Sequence, residues 1–169
     1  MMMRAIGLVF VAAVAATQVP QVFEALKMHV SAGGGTPAAG PVTVARTGST
    51  ILEADRTGHY SGTFRLNGKA IEAMVDTGAS LVAINETTAR RIGVSIASLD
   101  FKYPISTANG ETRAAHIRLQ RVEIGTVRVE DVDAFVLRDK ALSGTLIGMS
   151  FLKRLGGYSA EGDRLRLER

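Results

Sequence analysis

Ala73-Met74-Val75-Asp76-Thr77-Gly78-Ala79-Ser80 is an apolar run that ends abruptly in an acid, a hydroxyl and a glycine. A strand that stops at Asp-Thr-Gly places its carboxylate at the mouth of a turn. There Gly78 lets backbone amides come close and Thr77 can hydrogen-bond outward. The same triplet also serves as an ordinary turn, so its neighbours decide which reading holds.

Those neighbours predict short strands punctuated by turn residues. Residues 58–66 alternate around Tyr60, Gly62, Phe64 and Leu66, Asn67-Gly68 makes a tight turn, and residues 70–75 return, delivering Asp76 at the end of a hairpin. Residues 81–84 continue as an apolar strand. Asn85 then caps one helical pattern through Ile92, stopped by Gly93. Residues 101–107 and 112–119 are extended segments meeting at Asn109-Gly110, a second hairpin with a polar tip. Residues 121–125 and 127–137 give further strands. Thr145-Leu146-Ile147-Gly148 is a compact apolar strand, residues 149–155 have helical spacing with Gly156-Gly157 as the stop, and Leu165 and Leu167 alternate in a last strand. The expected fold class is therefore nearly all-β with one or two short helices.

Upstream, residues 5–16 form an unbroken apolar run behind Arg4, with Ala13-Val14-Ala15 offering a small-x-small cleavage pattern. This predicts a signal peptide or a short membrane anchor over residues 1–20, with the remainder of the chain exported. Residues 21–50 read as a short helix and a flexible linker rich in Gly, Ala, Pro, Thr and Ser. Gly33-Gly34-Gly35 is no phosphate loop, since neither Gly-Lys-Ser/Thr nor a helix start comes after it. The folded domain is expected over residues 51–169.

Composition narrows the function. The chain of 169 residues has no cysteine, hence neither disulfides nor a thiol nucleophile, and its three histidines lack metal-ligand spacing. No metal and no cofactor are called for. A net charge of +4 is spread over interspersed signs with no basic stripe, so nucleic acid is not an expected partner.

Taken together, Gly58-His59-Tyr60, Asn67-Gly68, residues 74–80, Thr107-Ala108-Asn109-Gly110 and Leu146-Ile147-Gly148-Met149-Ser150-Phe151-Leu152 resemble the retropepsin-like aspartic proteases, specifically bacterial single-domain forms with an N-terminal hydrophobic segment. The resemblance covers residues 51–169 and implies a closed β-barrel. By analogy, Asp76 is the catalytic aspartate and Thr77 and Gly78 its supporting loop. Thr107, Ala108, Asn109 and Gly110 form the flap over the substrate, and Leu146, Ile147 and Gly148 the element packed behind the catalytic loop.

The implied activity is aspartic endopeptidase hydrolysis of a polypeptide substrate, which needs two carboxylates sharing a proton. Asp55, Asp100, Asp131, Asp133, Asp139 and Asp163 are not followed by Thr/Ser-Gly, so the chain has a single Asp-Thr-Gly. A second Asp76 from another subunit is the economical source, and a homodimer is expected. Thr77 would reach across its axis. Val82, Ile84 and Ile105 are candidate pocket liners, with plain core as the alternative for all three. His59 is expected to hydrogen-bond structurally at a strand start and Tyr103 to pack on the hairpin flank. Viral relatives interleave their termini in a dimer sheet, whereas here a long tether precedes the domain.

The N-terminal segment implies contact with membrane or export machinery, placing the domain on the periplasmic side of the inner membrane or soluble in the periplasm. Two further readings stand beside this one: a catalytically silent peptide-binding or assembly module at the membrane, and the first phosphate loop of an actin-like ATPase. The chain is too short for the two α/β lobes that the ATPase requires.

Overall fold

The computed structural model describes residues 42–46, 48–107 and 110–169, residues 42–46 as backbone only. The readings made for residues 1–20 and for most of 21–50 lie outside the described residues. No helix among the described residues is long and apolar enough to cross a membrane.

Eleven strands are described. Strands β1 (Val42–Arg46), β2 (Ser49–Glu53), β3 (Ser61–Leu66), β4 (Lys69–Val75) and β5 (Val82–Asn85) precede a short helix α1 (Glu86–Arg91). After a 3-10 turn come β6 (Tyr103–Thr107), β7 (Gly110–Ile124), β8 (Val127–Leu137) and β9 (Leu146–Ile147). A one-turn helix α2 (Met149–Leu152) then leads into β10 (Gly157–Glu161) and β11 (Arg164–Glu168).

Two expectations change. The stretch read as a linker supplies a strand at Val42–Arg46, and β2 begins at Ser49. The helical spacing of residues 149–155 yields a helix only to Leu152, and Gly157 opens a strand instead of merely stopping a helix. Gly156 approaches the main chain of Arg169 too closely for a side chain, since a Cβ there would stand 2.9 Å from its carbonyl oxygen. The glycine pair is used for close chain approach as well as for ending a helix.

The main sheet has the order β3-β4-β9-β5-β8-β7-β6, and β3 also pairs with β7 through Arg65↔Glu123 and Leu66↔Val122. That extra pairing links one end of the sheet to a strand near the other. Six strands form the closed circuit expected of the barrel, with β6 projecting from it. Alternation decides the inner face. Gly62, Phe64 and Leu66 of β3 and Ile71, Ala73 and Val75 of β4 are buried, while the residues between them are exposed or half-buried.

The β3–β4 turn shows how local chemistry fixes register. Asn67 (φ 49°) and Gly68 (φ 80°) both take the left-handed conformation required by a two-residue hairpin turn matched to strand twist. Asn67 also exchanges backbone contacts with β7, its N–H donating to the Arg121 carbonyl at 2.9 Å and its Oδ1 accepting from the Arg121 N–H at 3.3 Å. Turn and barrel closure are thus specified by one residue.

The terminal strands make a second sheet, β1-β2-β11-β10. Buried Thr50 ties it to the barrel: its hydroxyl donates to the Ile124 carbonyl at 3.0 Å and accepts from the Thr126 N–H at 3.0 Å. Leu52, Leu165 and Leu167 on its inner face join the core around Phe64, Phe151 and Leu119.

Candidate active site

Strand β4 ends at Val75, and Asp76 is the first residue of the loop leading to β5. Strand β9 is wedged between those two strands. It runs parallel to β4 through Met74↔Leu146 and Val75↔Ile147, and antiparallel to β5 through Ala83↔Leu146. The loop must therefore cross over the end of β9. The Asp76 N–H donates to the Ile147 carbonyl at 3.0 Å, and Met149 N–H donates to the Ala79 carbonyl at 2.8 Å, holding both limbs of the loop.

Gly148 permits this crossing. A Cβ there would stand 2.5 Å from the Ala79 carbonyl oxygen and closer still to that of Leu81. Ile147 behind it is fully buried and Leu146 half-buried. Leu146, Ile147 and Gly148 thus lie against the two limbs of the Asp76 loop.

Within the loop the Gly78 N–H donates to Asp76 Oδ1 at 2.8 Å, and Ala79 N–H to the Asp76 carbonyl at 3.3 Å. The half-buried carboxylate is thereby oriented by its own turn, while Thr77 and Gly78 are exposed. The Gly78 N–H engages one carboxylate oxygen and leaves the other available to a water or a second acid.

The β6–β7 hairpin faces the loop across a cleft of about 180 Å³. Gly78, Ala79, Ala83 and Phe135 line it together with Ile105 and Thr107 of the hairpin, Ala83 and Phe135 being neighbours across the β5–β8 pair. Thr107 and Gly110 pair at the end of the hairpin, where the Thr107 hydroxyl donates to the Gly110 carbonyl at 2.8 Å. Ala108 and Asn109, expected at the flap tip, lie outside the described residues. A hollow of about 300 Å³ lined by Ile51, Asp163, Arg164 and Arg166 sits on the terminal sheet. It shares no residue with the Asp76 loop, so its greater volume does not make it the site.

The three candidate pocket liners divide between the two readings. Val82 and Ile84 are fully buried and face the core, whereas Ile105 does line the cleft. Side chains alternate along β5, so Ala83 between them is the residue that faces outward. Phe135 and Leu137 of β8 line the cleft too, and sequence reasoning missed them. Their signal was the phase opposite to Val132, Ala134 and Val136, all buried.

Ser150, quoted in the motif without a role, is a brace under the site. Its hydroxyl accepts from the Val82 N–H at 2.9 Å and donates to the Asp133 carbonyl at 2.7 Å, joining the start of β5 to β8. His59 sits in a turn ordered by Asp55, whose Oδ1 accepts from the N–H groups of Thr57 and His59 at 2.8 and 3.1 Å. Tyr103 packs on the hairpin flank, its ring 6.0 Å from that of His116 and 5.9 Å from that of Phe135.

Comparison with known proteins gives a consistent result. Residues 62–154 match the family described as gag-polyprotein putative aspartyl protease. A Sinorhizobium sp. protein described as "Uncharacterized protein in cobV 5'region" is 38% identical over 117 residues, covering 69% of this chain and 50% of its own. The chain spans about half the length of the curated relatives it matches. The crystal structure of a retropepsin-like aspartic protease from Rickettsia conorii superimposes with a TM-score of 0.63 at 36% identity, covering 71% of this chain and 89% of that one. The protease of EIAV in complex with the inhibitor HBY-793 shares the fold, with a TM-score of 0.50 at 14% identity over 61% of this chain and 93% of its own.

Proposed function

The chain belongs to the gag-polyprotein putative aspartyl protease family and has a retropepsin-like fold, and from that premise we propose that it is an aspartic endopeptidase whose active site is completed by a second copy of itself. The observation that carries this reading is the placement of Asp76: its carboxylate is oriented by the Gly78 N–H in an exposed loop beside a cleft walled by Ile105 and Thr107.

Two Asp76 carboxylates brought together across a twofold axis cannot both ionise, so they hold one proton between them. The ionised member takes a proton from a water lying between the two, and that water's oxygen attacks the peptide carbonyl carbon. The protonated member gives its proton to the carbonyl oxygen, producing a neutral gem-diol. On collapse of the gem-diol one hydroxyl proton goes to the Asp76 left ionised, while the Asp76 that took the water proton passes it to the leaving nitrogen, so the C–N bond breaks to acid and amine and the dyad again holds one proton. Titration belongs to the pair and not to either copy. An extended polypeptide in the cleft can add backbone hydrogen bonds to the hairpin, with Ala83, Ile105 and Phe135 offering apolar seats for alternate side chains. Thr77, exposed beside Asp76, is in position to reach the opposing loop.

The apolar run over residues 5–16 supports export, with the domain on the periplasmic side, tethered or released by cleavage. Alkaline phosphatase fused after Arg169 tests this reading through its compartment-dependent activity. The central experiment is peptide hydrolysis by the full chain and by Asp76→Asn, with a statine-type gem-diol mimic as inhibitor. Loss of cleavage in a folded variant, and inhibition of the native chain, support the peptidase. Equal cleavage by both variants overturns it. Absence of cleavage by the native dimer favours the silent peptide-binding module.

A further inference from the structure

The sheet face that lines the cleft continues past it. Ala83 pairs with Phe135 and Phe135 with His116, so the three side chains follow one another across β5, β8 and β7. On β6, alternation sends Tyr103 to the same face as Ile105, and Tyr103 pairs with Ala114, two residues before His116. The rings of Tyr103, His116 and Phe135 form a triangle. Tyr103 and Phe135 have centroids 5.9 Å apart, and His116 stands edge-on to both at 6.0 Å. Phe135 belongs to the cleft and to the triangle at once.

This aromatic shelf is open to solvent. Tyr103 is 40% exposed, one of two large apolar residues exposed among the described residues, and His116 is exposed beside it. The charges around the shelf are already matched. His116 Nε2–H donates to Asp133 Oδ1 at 3.1 Å, and Arg118 reaches the same oxygen from Nε and Nη2 at 3.4 Å. Lys102 Nζ, 5.7 Å from the Tyr103 ring centroid, is held by Asp100 at 2.8 Å. A charged side chain arriving here would give up water without gaining an unmatched counter-charge. A ring would instead extend an edge-to-face cluster that already has the spacing such pairs prefer.

We propose that Tyr103, His116 and Phe135 form an outer subsite that selects an aromatic side chain of the polypeptide substrate, two residues from the side chain seated at Ala83 and Ile105; the inference rests on the reading of the cleft as that of a peptidase. Side chains two apart on an extended chain share a face and stand roughly 6.4–6.8 Å apart. Ile105 and Tyr103 are themselves two residues apart on β6. A peptide adding to the hairpin therefore carries one side chain past Ile105 and the next on that face past Tyr103. Cleft and shelf together read an apolar residue, any residue and an aromatic residue in an extended segment. The seat at Ala83 is left roomy by its small side chain, and the seat beyond it is walled by rings.

Short labelled peptides with Leu-x-Phe, Leu-x-Ala or Leu-x-Lys in otherwise uncharged sequence, each in both orders, test this by cleavage and by fluorescence anisotropy. With the full native chain in mild detergent, the Phe peptides are expected to exceed the others about tenfold in kcat/KM, chiefly through KM, the scale on which filling one pocket discriminates. Tyr103→Ser, and independently His116→Ala, are expected to bring that ratio close to one with circular dichroism unchanged. Tyr103→Phe is expected to keep it, because the ring and not the hydroxyl makes the contact. A native ratio close to one, a preference for Lys, or a ratio that survives both Tyr103→Ser and His116→Ala overturns the subsite. If Asp76-dependent cleavage is seen in that case, the peptidase reading survives alone. If no Asp76-dependent cleavage is seen but the Phe peptides bind about tenfold more tightly in a Tyr103-dependent way, the peptidase reading falls and the subsite stands. Absence of both cleavage and binding overturns both.

Discussion

The hydroxyl of Ser150 accepts the Val82 N–H at 2.9 Å while donating to the Asp133 carbonyl, so a side chain on α2 closes the gap where β5 begins, just beyond the Asp76 loop. The loop's far limb depends on that contact. Ser150→Ala removes the acceptor and leaves the Val82 N–H unpaired at a half-buried position. A buried donor left unsatisfied costs about 1–3 kcal/mol. The urea midpoint is expected to fall accordingly, with peptide cleavage falling further than stability alone explains because the loop loses its anchor. An unchanged midpoint would show that water replaces the hydroxyl.

Gly148→Ala tests the crossing itself. The added methyl group meets the carbonyl oxygens of Ala79 and Leu81, both backbone atoms that cannot rotate away. Overpacking of this kind costs about 1–3 kcal/mol or more. Thermal unfolding is expected to drop by several degrees. Gly144→Ala, which meets open space, is the matched control and should unfold at the native temperature.

Much of this arrangement was legible in the sequence, and the reasons differ by element. Asn67-Gly68 announced its hairpin because the φ > 0 demand of a two-residue turn is met by few residue types. Asn85 announced α1 because its side chain caps the Thr88 N–H, seen at 2.8 Å. Strand β10 was not legible: Gly157 has the same identity whether it ends a helix or begins a strand against β11. Ser150 was invisible as a brace because its partners are 68 and 17 residues away in the chain. A long-range side-chain contact leaves no periodic trace.

Acid sensitivity arises from two carboxyls. At Asp55 partial burial, the largest effect, pushes the pKa up, but the Thr57 hydroxyl, the N–H groups of His59 and Thr57 and the His59 charge outweigh it and hold the carboxyl below its ordinary value. At Asp139 the Thr87 N–H lowers the pKa most; desolvation, the next largest effect, opposes it, and the Thr87 hydroxyl, Arg90 and the Glu86 neighbourhood bring the carboxyl below its ordinary value. A carboxyl whose folded pKa lies below its unfolded one stabilises the fold fully above the unfolded value, about 4, and loses that contribution as pH falls through the folded value. Asp55→Asn and Asp139→Asn are each expected to flatten the fall in urea midpoint below about pH 4. A slope equal to that of the native chain would show that neither carboxyl contributes. Both groups are largely solvent-accessible, so the effect of each is small.

Neighbouring residues on β5 should separate specificity from stability. Residues 81–84 read as one apolar run, and nothing in that run tells which phase faces the core. The structure does: Ile84 is fully buried, and Ala83 lines the cleft with Ile105 and Phe135. Ile84→Ala is expected to cost about 2–5 kcal/mol, the range for truncating a large buried aliphatic side chain, with substrate preference unaltered in whatever protein remains folded. Ala83→Leu places three extra carbons in the cleft instead of the core. It is expected to leave the unfolding temperature within a degree or two of native and to lower kcat/KM about tenfold for peptides with large side chains at the seat it fills, on the scale of one or two methylenes of pocket volume. Peptides with small side chains there should be cleaved as before. The contrast depends on alternation alone, because the two positions are adjacent, apolar and on the same strand. If Ala83→Leu instead lowered stability as much as Ile84→Ala and spared bulky peptides, β5 would have the opposite phase, and the cleft would not be the one that Gly78 and Thr107 enclose.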